Sequence, residues 1–172
     1  MTFLFRGRCW KFGDNVAVDG DLMPLEFALK REIRPELLKD HLFCGLDPGF
    51  AQRARPGDLI VAGCRFAQGN PHIQGLLGIR GAGLGLVVES IPSGSFRNAV
   101  NAGVPFLTRC DGLTGLVQTG DDLEVDFASG RFVNHTRGVE RTFTALPQAL
   151  LDIIAVGGWR AAFERRLARR SD

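Results

Sequence analysis

Asp58-Leu59-Ile60-Val61-Ala62-Gly63 is a short apolar stretch of the kind that forms a buried strand, and two similar stretches follow it, Leu86-Val87-Val88-Glu89 and Pro105-Phe106-Leu107-Thr108. The residues between these stretches have helical spacing, over 70–80 and 96–102. Strand–helix–strand units of this kind form right-handed parallel crossovers. The sequence therefore predicts an α/β fold built around a β-α-β-α-β unit.

Both predicted helices carry signals that mark their ends. Asn70-Pro71 places an asparagine cap before a proline at the first helical position, and Ser95 offers a similar cap to the second helix, which Gly103 closes. In an open parallel sheet, ligands bind beyond the carboxyl ends of the strands, where helix N-termini favour anions. The two loops are therefore predicted to bind a small anionic metabolite, although ordinary capped turns would show the same pattern.

The flanking segments predict a strand over 2–12 and two short helices, one beginning at Pro35 and one near Asp47. After the third central strand, glycine-containing turns separate alternating apolar and polar residues over 123–127 and 131–133. Such a pattern is typical of antiparallel hairpins. The chain then ends with helical spacing, so we expect helices to follow the hairpins.

Length and composition predict one domain over residues 1–172, because a chain of 172 residues that is 45% hydrophobic can bury a core without disulfides. A formal net charge of +2 provides no broad cationic surface, so no nucleic-acid partner is expected. No apolar stretch approaches the roughly 18 residues of a membrane span, and no secretory signal opens the sequence. We therefore expect a cytoplasmic protein without membrane contact. A basic cluster near the C-terminus is expected to be the solvated end of a helix; it comprises Arg165, Arg166, Arg169 and Arg170.

The four cysteines are scattered and include no C-x-x-C pair; they are Cys9, Cys44, Cys64 and Cys110. This spacing supports neither a zinc site nor an iron–sulfur cluster held by this chain alone. We therefore expect no metal ligands in this chain.

The candidate functional residues lie in or beside the two loops that follow the first two central strands. A histidine changes its charge near neutral pH, so His72 suits acid or base chemistry. An arginine fork binds both oxygens of a carboxylate, which suits a small anionic substrate. The candidates are, in chain order, Arg65, Gly69, Asn70, His72, Ser95 and Arg97.

Four segments resemble one known family in their order and spacing. They are Gly7-Arg8-Cys9-Trp10-Lys11-Phe12-Gly13-Asp14-Asn15-Val16, Leu46-Asp47-Pro48-Gly49-Phe50-Ala51, Arg55-Pro56-Gly57-Asp58-Leu59-Ile60-Val61-Ala62-Gly63 and Phe96-Arg97-Asn98-Ala99-Val100-Asn101-Ala102-Gly103. These segments resemble the isopropylmalate dehydratase small subunit, which is the swivelling domain of the aconitase superfamily. The resemblance covers almost the whole chain.

The resemblance implies a swivelling β/β/α domain that forms one half of an enzyme. In that family a separate large subunit holds a [4Fe–4S] cluster, whose open iron binds the hydroxyl and a carboxylate of a small carboxylic-acid substrate. The small subunit closes over this site and presents a serine that removes a proton from carbon. The resemblance therefore implies a heterodimeric hydro-lyase of leucine biosynthesis, with the cluster on the partner.

The departures from the family pattern fall at the active site. Where the family reads approximately N-F-G-C-G-S-S-R-E-H, this chain has Arg65-Phe66-Ala67-Gln68-Gly69-Asn70-Pro71-His72-Ile73-Gln74. Asn70 thus stands at the position of the catalytic serine, and His72 stands at that of a substrate-binding arginine. A second family motif, near P-A-R-Y-L, is Pro24-Leu25-Glu26-Phe27-Ala28 here and lacks its arginine, whereas Asp19 matches the aspartate of the family's early loop.

Three hypotheses follow from these residues. In the first, the chain is a hydro-lyase small subunit with an altered substrate, inactive without its large subunit. His72, Asn70 and Asp19 would then be catalytic, and the substrate-binding residues would be Arg65, Gly69, Ser95 and Arg97. In the second, the chain is a non-catalytic paralogue that acts as a binding or regulatory partner. The third is a stand-alone binder of small anions.

Overall fold

A seven-stranded sheet runs through the protein, as seen in a computed structural model that describes residues 2–168. The strands lie in the order β4-β3-β2-β1-β5-β6-β7. Their bounds are β1 Leu4–Lys11, β2 Leu59–Ala62, β3 Gly85–Val88, β4 Phe106–Leu107, β5 Asp122–Asp126, β6 Arg131–Asn134 and β7 Val139–Thr142.

The sheet has a parallel half and an antiparallel half, which meet at β1. Strands β1 to β4 pair in parallel, and β1 pairs on its other edge with β5 in the antiparallel sense. Strands β5, β6 and β7 continue the antiparallel half. The predicted β-α-β-α-β unit and the predicted hairpins are thus confirmed.

Seven α-helices accompany the sheet in the described residues. Their bounds are α1 Leu25–Leu29, α2 Pro35–Leu38, α3 Phe50–Arg53, α4 Gln74–Gly81, α5 Ser93–Ala102, α6 Gln148–Ala155 and α7 Trp159–Ala168. Two 3₁₀ turns are also present, over Lys39–His41 and Leu113–Leu116.

None of the helices in residues 2–168 has both the length and the apolar character needed to cross a membrane. Of the C-terminal arginine cluster, Arg165 and Arg166 are exposed on α7, and Arg169 and Arg170 lie outside the described residues.

The prediction that the first central helix begins at Asn70 is wrong, because α4 begins at Gln74. Residues 70–72 form a tight turn instead, in which the His72 N–H donates to the Asn70 carbonyl over 2.7 Å. The Pro71 carbonyl accepts a hydrogen bond from the Asn98 side chain on α5. This contact between distant segments holds the stretch outside the helix.

The prediction that Ser95 caps the next helix is also wrong. Helix α5 begins two residues earlier, at Ser93, because the extended Pro92 takes the cap position. The first helical hydrogen bond runs from the Phe96 N–H to the Pro92 carbonyl over 2.8 Å. Gly103 ends the helix as predicted, in the left-handed conformation with φ 76°.

Two hydrophobic cores cover the two faces of the sheet. Successive side chains of a strand point to opposite faces, so Cys9 enters one core and Trp10 the other. The Trp10 core contains a group of aromatic rings, in which Phe12 stacks on Phe43 with ring centroids 4.0 Å apart. The edge of Phe50 packs against both Phe43 and Trp10, at 4.8 and 5.1 Å. This packing fixes the end of β1 and the segment that follows it.

The buried carboxylate of Asp58 joins β1 to the turn before β2. It accepts hydrogen bonds from the Trp10 indole N–H, the Arg8 N–H and the Arg55 N–H, each over 2.9 Å. Asp58 is 6% exposed, so these three donors replace the hydrogen bonds that water would make to the carboxylate. The register between the two strands therefore depends on this side chain.

The hairpin half of the sheet contains a second buried carboxylate, Asp121, which makes stability depend on pH. Burial acts to raise the pKa of Asp121, but hydrogen bonds from Asn134, the Gln118 N–H and Arg137 outweigh it and lower that pKa. Since the folded-state pKa lies below the unfolded value, this stabilisation is present above the unfolded pKa and is lost as the pH falls through the folded pKa. We expect the free energy of unfolding to fall more between about pH 6 and about pH 3 in the wild type than in Asp121→Asn, as measured by urea denaturation. Equal pH dependence of the two proteins would contradict this assignment.

Candidate functional site

The carboxyl ends of β1, β2, β3 and β4 lie at one edge of the sheet, because these four strands are parallel. The loops that follow them, over 12–24, 63–73, 89–92 and 108–112, therefore meet at that edge. This is the edge at which an open parallel sheet binds its ligands. The structure thus brings the two predicted loops together and adds the loops after β1 and β4.

The loop after β2, which we call the β2 loop (residues 63–73), has an unusual backbone. Arg65, Ala67 and Gly69 all have positive φ, at 56°, 59° and 103°, a region that non-glycine residues rarely enter. Such conformations persist when surrounding contacts hold them. Here Gln68 pairs with the loop after β1, donating its N–H to the Val16 carbonyl over 3.0 Å and accepting from the Val18 N–H over 2.8 Å.

The beginning of the β2 loop is held by Asp14. The Asp14 Oδ1 accepts a hydrogen bond from the Cys64 N–H over 2.7 Å. A Cβ at Gly63 would lie 1.9 Å from the same oxygen, so no larger residue fits at Gly63 without displacing the carboxylate. Close approach of the two loops therefore requires glycine at this position.

His72 and Asp19 form a hydrogen-bonded pair across the two loops. The Nδ1 of His72 lies 2.8 and 3.0 Å from the two carboxylate oxygens of Asp19. The side chains are 35% and 27% exposed, so the pair is half-buried yet open to a ligand. A carboxylate accepts hydrogen bonds, so Nδ1–H is the donor to Asp19, and in the neutral form of the ring Nε2 then carries the lone pair. This arrangement suits the transfer of a proton at Nε2.

The other predicted residues of the β2 loop have different surroundings. Gly69 and Asn70 are exposed beside the pair. The Arg65 side chain donates from Nε to the Asn15 Oδ1 over 2.6 Å, and its N–H donates to the Ser90 hydroxyl over 2.8 Å. Asn15 was not among the predicted site residues, although Gly13-Asp14-Asn15 has the composition of a turn.

Ser95, on helix α5, holds the β2 loop through a hydrogen bond. Its hydroxyl is buried and donates to the Ala67 carbonyl over 2.5 Å. The hydrogen of this hydroxyl is therefore directed at the protein backbone. Ser95 contacts the strained part of the loop and acts on the site through Ala67.

We expect Ser95→Ala to lower the free energy of unfolding by about 1–2 kcal/mol, because it leaves the buried Ala67 carbonyl without its donor. Urea denaturation measures this change. The control is Ser93→Ala, an exposed serine two residues away, for which we expect less than about 0.5 kcal/mol. Equal losses in the two variants would show that the Ser95 hydrogen bond contributes nothing specific.

Arg97 lies on a different part of α5 from the residues that contact the β2 loop. Successive helical residues are 100° apart, so Ser93, Phe96 and Arg97 share one face, while Gly94 and Asn98 lie on another. The latter two contact Pro71 of the β2 loop. Arg97 instead lines a cavity of about 450 Å³ that includes Arg109. Arg109 was not among the predicted site residues, although it directly follows the predicted strand Pro105-Phe106-Leu107-Thr108.

The cysteines of this chain are not arranged as cluster ligands. Burial raises the pKa of the Cys9 and Cys110 thiols to about 12, so both stay protonated in the core. The Cys64 thiol is half-buried and faces Glu89, with Sγ and Oε2 3.7 Å apart. Over residues 2–168, no three His, Cys, Asp or Glu side chains are grouped to hold a metal ion.

Comparisons with known proteins give one consistent result. No protein-family model matches the chain. The isopropylmalate/citramalate isomerase small subunit of Methanocaldococcus jannaschii is 35% identical over 169 residues, covering 98% of each chain. The 3-isopropylmalate dehydratase small subunit of Aquifex aeolicus is 34% identical over 171 residues, covering 99% of this chain and all of the relative.

A solved structure agrees with these relatives. The crystal structure of a 3-isopropylmalate dehydratase chain from Methanocaldococcus jannaschii matches with a TM-score of 0.85 and 26% identity, covering 98% of each chain. The predicted swivelling β/β/α fold is therefore confirmed. Identity at this level over nearly the whole of both chains, together with the shared fold, shows that this protein belongs to the isopropylmalate dehydratase small-subunit family.

Proposed function

We propose that this protein, as a single swivelling domain over residues 1–172, is the small subunit of an aconitase-type hydro-lyase. It dehydrates and rehydrates a hydroxy-carboxylic acid that differs from the usual substrate of the family. The observation that carries this proposal is the His72–Asp19 pair, with Nδ1 and the carboxylate 2.8 Å apart at the carboxyl edge of the sheet. The names of the relatives support a catalytic subunit over the non-catalytic alternative.

In this proposal His72 is the base that replaces the family serine. Its Nε2 accepts the proton from the carbon beside a carboxylate, and the C–H electron pair forms the double bond. The hydroxyl leaves with the C–O electron pair as hydroxide and takes a proton from solvent to become water, after which the imidazolium returns its proton to solvent. Asp19 stabilises the imidazolium that forms and holds the ring orientation. Asn70 cannot accept this proton because an amide is not basic at neutral pH, so it acts as a hydrogen-bond donor to a substrate oxygen.

The proposal assigns four residues to the substrate-binding region, each with a different part in it: Arg65, Gly69, Ser95 and Arg97. Arg65 and Gly69 are exposed on the β2 loop, which also carries His72. A guanidinium and a backbone N–H are both donors to the oxygens of a carboxylate. Ser95 is a positioning residue that acts through Ala67. Arg97 lines a neighbouring cavity, beside the α5 residues that contact Pro71.

The partner in this proposal is a large subunit that carries a [4Fe–4S] cluster, and the two chains form a heterodimer. The cysteines are scattered, and the thiols of Cys9 and Cys110 are buried, so they do not fit cluster binding by this chain. A cluster on the partner supplies a Lewis acid for the substrate hydroxyl. The names of the relatives support a place in leucine biosynthesis, and with it a cytoplasmic location.

Co-purification with a large-subunit homologue from the same genome tests the proposal. We expect a stable complex that converts a hydroxy-carboxylic acid into an unsaturated acid, which is followed by its ultraviolet absorbance. Neither chain alone should show this activity. A stable, cluster-loaded complex that acts on no member of a panel of 2- and 3-hydroxy di- and tricarboxylic acids would favour the non-catalytic paralogue instead.

A further inference from the structure

We propose that a cavity at the ends of β3 and β4 binds a small carboxylate with a short aliphatic tail, at a site separate from His72. The cavity has a volume of about 450 Å³, within the range of small-molecule sites. Its polar lining consists of two arginines and three hydroxyl groups, namely Arg97, Arg109, Ser90, Ser93 and Thr108. This inference goes beyond the proposed hydro-lyase function.

The charge of the cavity selects an anion. Arg97 and Arg109 are both exposed, and within residues 2–168 neither forms an ion pair. Among the described residues, none of those that line the cavity is acidic. Other arginines of the protein do form ion pairs; the guanidinium of Arg131, for example, contacts Glu124 and Glu140. Two guanidinium groups without an ion-pair partner lie beside hydroxyl donors and can donate hydrogen bonds to a carboxylate. The planar guanidinium binds both oxygens of a carboxylate at once.

An adjoining cavity supplies space for the tail. It has a volume of about 350 Å³ and shares Phe96, Thr108 and Arg109 with the first. Its remaining walls are mainly apolar and include Leu146, Pro147 and Leu150, where the chain enters α6. A ligand with its carboxylate between the arginines can therefore place an aliphatic group against these side chains. An anion without a tail would leave this apolar surface in water.

The cavity is distinguished from the His72–Asp19 pair by its lining, which includes neither residue. It lies beside Phe96 and Arg97 of α5, whereas the β2 loop packs on Gly94 and Asn98 of the same helix. The two sites adjoin each other, because Ser90 lines the cavity and accepts a hydrogen bond from the Arg65 N–H of the β2 loop. All of the lining belongs to this chain, so ligand binding can be measured on the full chain without the large subunit.

Chemical-shift titration of the ¹⁵N-labelled full chain tests the inference. The three probes are 4-methylpentanoate, acetate and inorganic phosphate. We expect 4-methylpentanoate to shift the amide signals of Ser93, Arg97 and Arg109 and to bind about 10-fold or more tightly than acetate, because its tail leaves water. Arg97→Ala and Arg109→Ala should each weaken its binding about 10-fold.

Two further variants make the test specific. Arg141→Ala removes an exposed arginine from β7, and we expect it to bind 4-methylpentanoate as the wild type does. His72→Ala should also bind this probe normally even when the hydro-lyase activity is lost, which separates the two proposals. Arg109→Lys keeps the charge and loses the planar fork, so its binding should fall between those of the wild type and Arg109→Ala.

Three results would each overturn the inference. The first is equal affinity for acetate, phosphate and 4-methylpentanoate, which would indicate attraction of any anion by net charge. The second is an equal loss of binding in Arg141→Ala and Arg109→Ala. The third is a set of shifts centred on Asp19 and His72, which would place the carboxylate in the proposed catalytic site.

Discussion

Replacing His72 by alanine is expected to lower kcat of the reconstituted complex by about 10²–10⁴-fold, with a smaller change in KM. The imidazole is the base of the proposed reaction, and its Nδ1 is already held by Asp19 at 2.8 Å. Alanine removes the acceptor of the proton, and Asn70 cannot take its place. Steady-state formation of the unsaturated acid measures the effect, with complex formation verified by gel filtration.

Two further variants interpret this result. Asp19→Asn keeps a neighbour of similar size but loses the negative charge, so we expect kcat to fall at least about 10-fold. His135→Ala is the matched control, because His135 also faces a carboxylate, with its Nε2 3.4 Å from Glu124, but lies on the hairpin half of the sheet. We expect His135→Ala to retain wild-type activity. Full activity of His72→Ala would contradict the assignment of His72 as the base.

Replacing Asp58 by alanine is expected to lower the free energy of unfolding by about 3–5 kcal/mol. The carboxylate accepts three hydrogen bonds, one of them from the buried indole of Trp10. Alanine leaves that N–H without a partner in a site closed to water, and it removes the link between β1 and the turn before β2. Urea denaturation monitored by circular dichroism measures the loss.

Asp58→Asn and Asp111→Ala are the controls for this prediction. Asparagine retains one acceptor oxygen and turns an N–H toward a donor, so we expect an intermediate loss for Asp58→Asn. Asp111 is exposed, and its replacement should change the free energy of unfolding by less than about 0.5 kcal/mol. Losses of the same size in Asp58→Ala and Asp111→Ala would show that the three hydrogen bonds contribute little to stability.

The central strands could be predicted from the sequence because their signals are local. The stretches that predicted them are apolar without interruption, and the observed strands Leu59–Ala62 and Gly85–Val88 begin within a residue of those stretches. The starts of α4 and α5 could not be predicted in the same way. Asn70 and Ser95 have the residue types of caps, but contacts from Asn98 to Pro71 and from Ser95 to Ala67 use these segments to hold the β2 loop.

The candidate site was predicted residue by residue but not as a contact. His72 and Asp19 are 53 positions apart and were selected for separate reasons, one as a titratable group in a loop and the other through the family resemblance. Their pairing depends on the parallel register of β1 and β2, which no local pattern reports. Arg109 was not selected because its place after a predicted strand is a weak signal without a motif. Its proximity to Arg97, with which it lines one cavity, depends on the fold.

Strand β1 also determines the order in which the chain can fold. It lies between β2 and β5, so Leu4 pairs with Asp126 while Cys9 pairs with Leu59. During synthesis, the parallel half can assemble once β4 has left the ribosome, but one edge of β1 then presents unpaired backbone groups until β5 emerges. An open edge of this kind recruits other strands. Nascent chains that stall before residue 122 are therefore the species most exposed to aggregation, and the antiparallel hairpins protect the finished sheet.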